Sequence, residues 1–370
     1  MAQAPFLFAG QRLSKGPSRA FVGIVFLSTS FVILPLLARA ARMQVQSSPS
    51  TTWAVTIVLP SRIVAGAPAT LAVLGVDGRL ASDVTVEVGN DRVTTDGTGR
   101  AFFTAPSSGN ILFAKASGAS AAALIDPAAA INASTQRSVS VAPVVSLREP
   151  FSICGAGFRG DADGTHVRIN GEPALVMAAS PECLSVLPNP ESKPGAAQIS
   201  IVSAVSPGGQ WSANTTLVSL DSEFPESGLT PGQKSLLTVR VRGSEQRLRI
   251  AVENQTPGVL RFTRGDAQEL VTTGGPQNVA TVEAQAIRSG DFSFAARLIA
   301  APDEALARQY LEAAVPLATK NLQRDINRLM KQLARHPRDV EEVRRGLDGI
   351  LTDTMAGDFR TLLAAARMAL

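Results

Sequence analysis

The chain has 370 residues, 45% apolar and only 5% aromatic, with 35 Lys and Arg against 31 Asp and Glu. Arg12, Lys15, Arg19 and Arg39 all lie in the first 40 residues, and without them 31 basic residues face 31 acidic ones, so the net charge is no argument for a nucleic-acid partner. A chain this long exceeds one sandwich core and divides into several domains.

The first 42 residues carry no acid, and three cations precede an almost wholly apolar run from Ala20 to Leu37. That is the composition of a secretory leader. Ala38-Arg39-Ala40 supplies the small-x-small pattern of a cleavage site, so residues 1–40 are expected to be a signal peptide cut after Ala40. The alternative is an uncleaved anchor, since about 18 apolar residues approach the roughly 20 that cross a bilayer. Either reading places the remainder outside the cytoplasm, secreted, periplasmic or on the cell surface, with membrane contact only through this segment if it is uncleaved. Residues 41–52, rich in Ser, Gln and Thr, read as a tether.

The first module is expected over residues 53–126. Trp53–Val58, Ala69–Leu74 and Val84–Val88 alternate as half-buried strands. Thr95-Asp96-Gly97-Thr98-Gly99-Arg100-Ala101-Phe102-Phe103 adds a tight hairpin signal. With that turn the segment is similar to the bacterial immunoglobulin-like and carboxypeptidase-regulatory-like modules that carry T-D-x-x-G-x-x-x-F. An alanine-rich link follows Asp126-Pro127.

The second module, residues 138–220, is the most legible. It contains Ile153-Cys154-Gly155-Ala156-Gly157-Phe158, Val167-Arg168-Ile169-Asn170-Gly171, Leu184-Ser185-Val186-Leu187-Pro188 and Gln198-Ile199-Ser200-Ile201-Val202. Alternating strands cut every eight to twelve residues by Gly, Pro, Asn or Asp are the pattern of a small antiparallel sandwich. The G-x-G-F, V-x-I-x-G and Pro-closed strands resemble the IPT/TIG immunoglobulin-like domain. The stretch departs from that family at Leu220, which stands where a closing aromatic is usual. Cys154 and Cys183 are the only cysteines. An even pair in an exported chain suggests a disulfide, and an immunoglobulin-like sandwich would set Cys154 at the end of one strand opposite Cys183 at the start of an antiparallel neighbour. Two buried free thiols are the alternative.

A third sandwich is expected over residues 221–301, from the period-two runs Leu236–Val241, Gln246–Val252, Val259–Phe262 and Asp291–Ala296. Three such units in succession suggest beads on a string. From 302 to 370 the period becomes helical. Leu322, Ile326, Leu329, Met330 and Leu333 share one side, while Lys320, Arg324, Arg328, Lys331 and Arg335 occupy the other. His336-Pro337 breaks this helix, and two more helices carry Val340, Val343, Leu347 and Ile350, then Phe359, Leu362, Leu363 and Ala366. Isolated helices of this length are marginal in water, so the stripes must pack on each other, on the third sandwich or on a partner. The fold class is therefore mainly β, tandem immunoglobulin-like sandwiches with a small C-terminal α-helical domain.

No catalytic, cofactor-binding or metal-binding set emerges. His166 and His336 are the only histidines, 170 positions apart, neither beside a nucleophile, and the cysteine and histidine spacing does not suit zinc. The loop Arg159-Gly160-Asp161-Ala162-Asp163-Gly164 is similar to integrin-binding loops and its acids could begin a calcium site, but no Glu follows at the twelfth position. Arg159, Asp161 and Asp163 are kept as a binding-loop candidate beside the reading of an Asp/Gly turn. The cation row of the helix is kept as a partner-contact candidate beside the reading of a solvated face. Asn132, Asn214 and Asn254 begin glycosylation sequons. These residues point to a non-enzymatic envelope or secreted protein acting in adhesion, spacing or assembly, with a protein partner or a polysaccharide. A carbohydrate-binding protein or a glycan-active enzyme is the alternative.

Overall fold

Period-two alternation leaves each strand with one apolar face to cover, and the chain covers it by pairing sheets. The computed structural model describes residues 55–128, 139–203, 210–224, 229–335 and 340–370. The expectations for the leader and tether, for Trp53, for the Asn132 sequon and for the His336-Pro337 break lie outside the described residues.

In the first sandwich β1 (Thr56–Val58), β3 (Pro68–Leu74) and β6 (Arg100–Thr104) form one sheet. The facing sheet runs β2 (Arg62–Val64), β8 (Ala119–Asp126), β7 (Ile111–Ala116), β4 (Thr85–Val88), β5 (Asp91–Thr94). Ile63, Leu71, Val73, Val86 and Leu112 fill the space between. The segment expected as a tight hairpin at Asp96 is different: β5 and β6 belong to opposite sheets, so the turn carries the chain across the sandwich. The Asp96 carboxylate accepts from the Thr98 hydroxyl at 2.6 Å and the Thr98 amide at 2.8 Å, bonds that hold its pKa below the ordinary value.

The central sandwich contains β9 (Val139–Val141), β10 (Val144–Ser146), β11 (Phe151–Gly155), β12 (Thr165–Ile169), β13 (Glu172–Ala179), β14 (Cys183–Leu187), β15 (Gly195–Ser203) and β16 (Gln210–Glu223). One sheet runs β9-β11-β14-β13 and the other β13-β12-β15-β16, with β10 parallel to β16. β13 serves both because its register shifts between Val176 and Ala178. Asn170 and Gly171, with φ of 51° and 84°, make the two-residue turn that joins β12 to β13.

β16 is 14 residues long and does not stop at the boundary expected after residue 220. Leu217 packs in the central core, whereas Val218 and Leu220 pack in the third. One strand is thus shared by two sandwiches. In the third, the end of β16 pairs with β17 (Lys234–Arg242), followed by β21 (Val279–Ala286) and β19 (Leu260–Phe262). The opposite sheet is β20 (Ala267–Val271), β18 (Arg249–Asn254) and β22 (Phe294–Leu298).

Four helices end the chain among the described residues: α1 (Glu304–Ala314), α2 (Lys320–Arg335), α3 (Val340–Asp353) and α4 (Asp358–Ala369). Asp303 caps α1 by accepting the Leu306 amide at 2.9 Å. Their stripes pack on each other and on a surface that sequence did not propose, the outer face of the first sandwich. Ile111, Phe113, Ala122 and Leu124 of β7 and β8 join one core with Tyr310, Leu311 and Leu362. The modules are consequently not separate beads, and residues 51–370 fall in one unit.

The first and central sandwiches also meet backbone to backbone. Ala179 of β13 pairs with Thr70 of β3, and the Thr70 hydroxyl donates to the Gly160 carbonyl at 2.6 Å. A Cβ on Gly160 would stand 1.7 Å from the Pro68 carbonyl oxygen. Only glycine fits such an approach. Gly160→Ala is therefore expected to lower stability by about 3 kcal/mol, the upper range for forcing a methyl into a packed site. Calorimetry would read this as a lower melting temperature, and an unchanged value would show that this approach is relaxed in solution.

Candidate interaction surface

The disulfide is formed. β11 and β14 run antiparallel with Cys154 directly opposite Cys183, their Cα atoms 4.2 Å apart. The loop it closes, about 30 residues, corresponds to roughly 3 to 4 kcal/mol in the chain-entropy model. It lies in a seam, not at a free surface. The Ser61 hydroxyl of the first sandwich reaches both sulfurs, at 3.7 and 3.5 Å.

Arg159, Asp161 and Asp163 belong to the same seam. Gly160 and Ala162 are buried, the Ala162 amide donates to the Thr70 hydroxyl at 3.3 Å, and Asp163 pairs with Arg100 of β6 at 2.7 Å. A Cβ on Gly164 would meet Asp161 at 2.8 Å and Arg159 at 3.3 Å, so both side chains fold over the loop. The Arg-Gly-Asp tripeptide is wedged between modules.

Near it, three modules converge on Arg62. Its guanidinium holds both oxygens of Asp126, at 3.2 and 3.1 Å, and donates to Gln309 of α1. Its carbonyl accepts the Ser180 hydroxyl at 2.6 Å. Glu182, in the turn between β13 and β14, faces this group. Burial, a hydrogen bond with Asp126 and the Asp126 charge push its carboxyl up to about 7, against the opposing pull of Arg62. Tyr310 closes the junction, its hydroxyl donating to the carbonyls of Ser61 and Ala122 at 3.3 and 3.2 Å.

The helices touch the third sandwich through charge. Glu269 of β20 faces Arg249 at 2.8 Å, Arg367 at 3.2 Å and Arg344 at 3.7 Å, and Arg344 also pairs with Glu341 at 3.1 Å. Arg344 is 3% exposed and donates to the Leu370 carbonyl as well. Burial pushes the Glu269 carboxyl up, but the charges of Arg344, Arg249 and Arg367 outweigh it and leave the pKa below its ordinary value. Sequence reading missed this set. Its one signal was Arg344 lying next to Val343 on an apolar stripe.

Lys320, Arg324, Arg328, Lys331 and Arg335 are all exposed on α2, opposite the buried Ile326, Leu329 and Leu333. At 1.5 Å per residue the row is roughly 22 Å long. Four of the five line an open groove of about 950 Å³ with Asn327, Gln332 and Glu342, the last being its one carboxylate among the described residues. Arg328 pairs with Asp325 at 3.5 Å, a helix-surface contact worth a few tenths of a kcal/mol. His166 is exposed on β12. Asn254 is buried and donates to the Leu260 carbonyl at 2.7 Å and to Asp266 at 2.8 Å, which commits its amide to the fold and not to a glycan. Trp211 is buried edge-on against Phe158, centroids 5.1 Å apart.

No family model and no curated protein matches the chain. Among solved structures it is similar to SGBP-B of the Bacteroides ovatus mixed-linkage glucan utilization locus, solved with a mixed-linkage heptasaccharide, at 11% identity over 65% of this chain and 73% of that one, TM-score 0.23. It is similar to the plexin A4 extracellular region at 12% identity over 73% of this chain but only 25% of that one, TM-score 0.24. A tetra-tandem repeat from the extending region of a large adhesion protein matches at 14% identity over 67% and 74%, TM-score 0.17. With scores this low, none of these superpositions carries an argument about function.

Because Glu269 draws three arginines together, Glu269→Gln is expected to cost about 1 to 2 kcal/mol at low salt, discounted for its partial exposure. The loss should shrink in 1 M salt. A carboxyl with a depressed folded pKa stabilises above its unfolded value and loses that contribution as pH falls through the folded one. Wild-type stability from this contact should therefore decline below about pH 4.5, an acid loss absent in the variant. Equal melting temperatures at both salt concentrations would show that the contact contributes nothing.

Proposed function

We propose that this chain is a non-enzymatic, exported envelope protein, a jointed body of three sandwiches and a helical cap that holds a partner protein in adhesion, spacing or assembly. The observation that carries this is the cation row of α2. Lys320, Arg324, Arg328, Lys331 and Arg335 stand on a face that contributes nothing to the helical core, along a groove with a single acid among the described residues. A rigid row of positive charge steers an acidic partner and fixes its register. The body behind it holds the row steady, since the cap is seated on one sandwich by apolar packing and on another by ion pairs.

We read the central sandwich as of the IPT/TIG type. Support comes from Gly157 at a φ of 86°, Phe158 buried beyond it, and the turn at Asn170-Gly171 closing the V-x-I-x-G strand. Sandwiches of this kind also present strand edges that can accept a partner strand. A carbohydrate platform in this module would need Trp211, which is committed to the core.

Photo-crosslinkers placed at Asn327 and Gln332 in envelope preparations, followed by identification of the captured protein, test the reading. One acidic partner is expected, and the double reversal Arg324→Glu with Lys331→Glu should reduce its capture at least tenfold without changing the melting temperature. Capture unaffected by reversal would overturn the assignment of the row, and turnover of an envelope glycan by the purified protein would overturn the non-enzymatic reading.

A further inference from the structure

The groove along α2 has room for one kind of backbone. From Arg324 to Arg335 it follows eleven residues of helix, roughly 16 Å. Spread along that length, its volume of about 950 Å³ leaves a mean cross-section of roughly 60 Å². A helix with its side chains is about 10 to 12 Å across and fills on the order of 80 to 110 Å². An extended strand, about 4.8 Å wide and about 10 Å deep with its side chains, fills roughly 50 Å². The groove therefore admits a strand, whereas a helix would only rest on its rim.

The polar groups of the groove agree with its size. Acids at alternate positions of a strand repeat at about 6.6 Å on one face, close to the rise of about 6 Å between Arg324 and Arg328. Two amides of α2 are used by the fold: Gln323 donates to the carbonyls of Val315 and Ala318 at 3.1 and 3.0 Å, and Asn321 accepts from Arg324. Asn327 and Gln332, which line the groove, have no such partner among the described residues. By helical spacing they fall on opposite flanks of the cation row. A side-chain amide both donates and accepts, as a peptide group does. The backbone of a single strand has free groups to meet it, and the backbone of a helix has bonded its own. Glu342, the one carboxylate of the groove among the described residues, opposes an uninterrupted polyanion.

Resting on the reading of this row as a contact for an acidic partner, we infer that the partner enters the groove as an extended acidic segment of about five or six residues, the number that spans its length. Arg324, Arg328, Lys331 and Arg335 take the carboxylates on one face of that segment, and Asn327 and Gln332 take its peptide groups from the two sides. The charges set affinity and its salt dependence, whereas the amides tell an extended chain from a helix of equal charge.

Fluorescence anisotropy at low salt, with the full chain and three labelled peptides of equal charge, tests this. The first is an alternating Glu-Ser octapeptide, and the second is the same octapeptide N-methylated at its serines, which removes backbone donors. The third is an alanine-rich peptide that sets its four acids along one face of a helix. The alternating peptide should bind at least about fivefold tighter than the other two, the worth of one or two hydrogen bonds. Asn327→Ala with Gln332→Ala should weaken it by a similar factor and leave its salt dependence unchanged, because no charge is lost. No binding of the alternating peptide, or equal binding of its N-methylated form, would overturn the extended segment. Equal or tighter binding of the helical peptide would also overturn it, and the acidic-partner reading would stand if Arg324→Glu with Lys331→Glu removed that binding. Binding that survived this reversal would instead sink the row itself. Polyphosphate that displaces the alternating peptide more tightly than the peptide binds would assign the groove to a phosphate polymer and overturn the proposal. The N-methylated peptide is read on the unaltered protein, so a substitution that disturbs folding does not decide the outcome.

Discussion

Everything in this architecture depends on the two-sided apolarity of one hairpin. β7 and β8 turn Leu112, Ala114, Ala123 and Ile125 into their own sandwich, and Ile111, Phe113, Ala122 and Leu124 out of it. A sheet apolar on both faces must be covered on both. The helices provide the second cover, and each large side chain that the contact removes from water contributes roughly 2 kcal/mol. Because the covering helices are the last elements and the covered hairpin lies in the first module, the chain doubles back. Tyr310 pins the return by donating to backbone carbonyls of Ser61 and Ala122.

Once the chain has doubled back, its remaining seams are largely polar, and their chemistry differs. Between the first and central sandwiches, backbone meets backbone at Gly160, and the Arg62 carbonyl, beside its pair with Asp126, accepts the Ser180 hydroxyl. Between the central and third, a single strand runs through both cores and Glu149 is drawn into the contact, where burial raises its pKa against a hydrogen bond from the Leu298 backbone and the charge of Arg297. Between the third and the helices, arginines crowd around Glu269. Apolar packing brings the modules together, whereas these polar groups fix their angles, because a hydrogen-bonded charge tolerates little misplacement in a partly dry seam.

The candidate site was only partly legible. Helical spacing was enough to place Lys320, Arg324, Arg328, Lys331 and Arg335 on one face, and they do lie together on α2. The cysteine pair was read from export and strand order, and the disulfide is present. Arg159, Asp161 and Asp163 were read as a binding-loop candidate beside an ordinary Asp/Gly turn, and composition is silent about the neighbour 90 residues earlier in the chain, Thr70, that bonds to this loop at Gly160. The junction of Arg62 with Ser180 and Gln309 was invisible for the same reason, since three ordinary polar residues acquire meaning only when separate modules press them together. One available signal went unread, since Ile111-Leu112-Phe113-Ala114 and Ala121–Ile125 lack the polar alternate positions of a strand with a solvated face.

Local periodicity and turn chemistry, by themselves, determined that this chain makes β-sandwiches followed by helices, for both act within a few residues and need no knowledge of distant partners. They also determined which helical face is charged. Tertiary structure alone decided that the helices return to the first sandwich, that β16 serves two cores and that the Arg-Gly-Asp loop lies in a seam. Those outcomes turn on which apolar surface is left uncovered after every module has folded, and that is a property of the assembled surfaces and not of any stretch of chain.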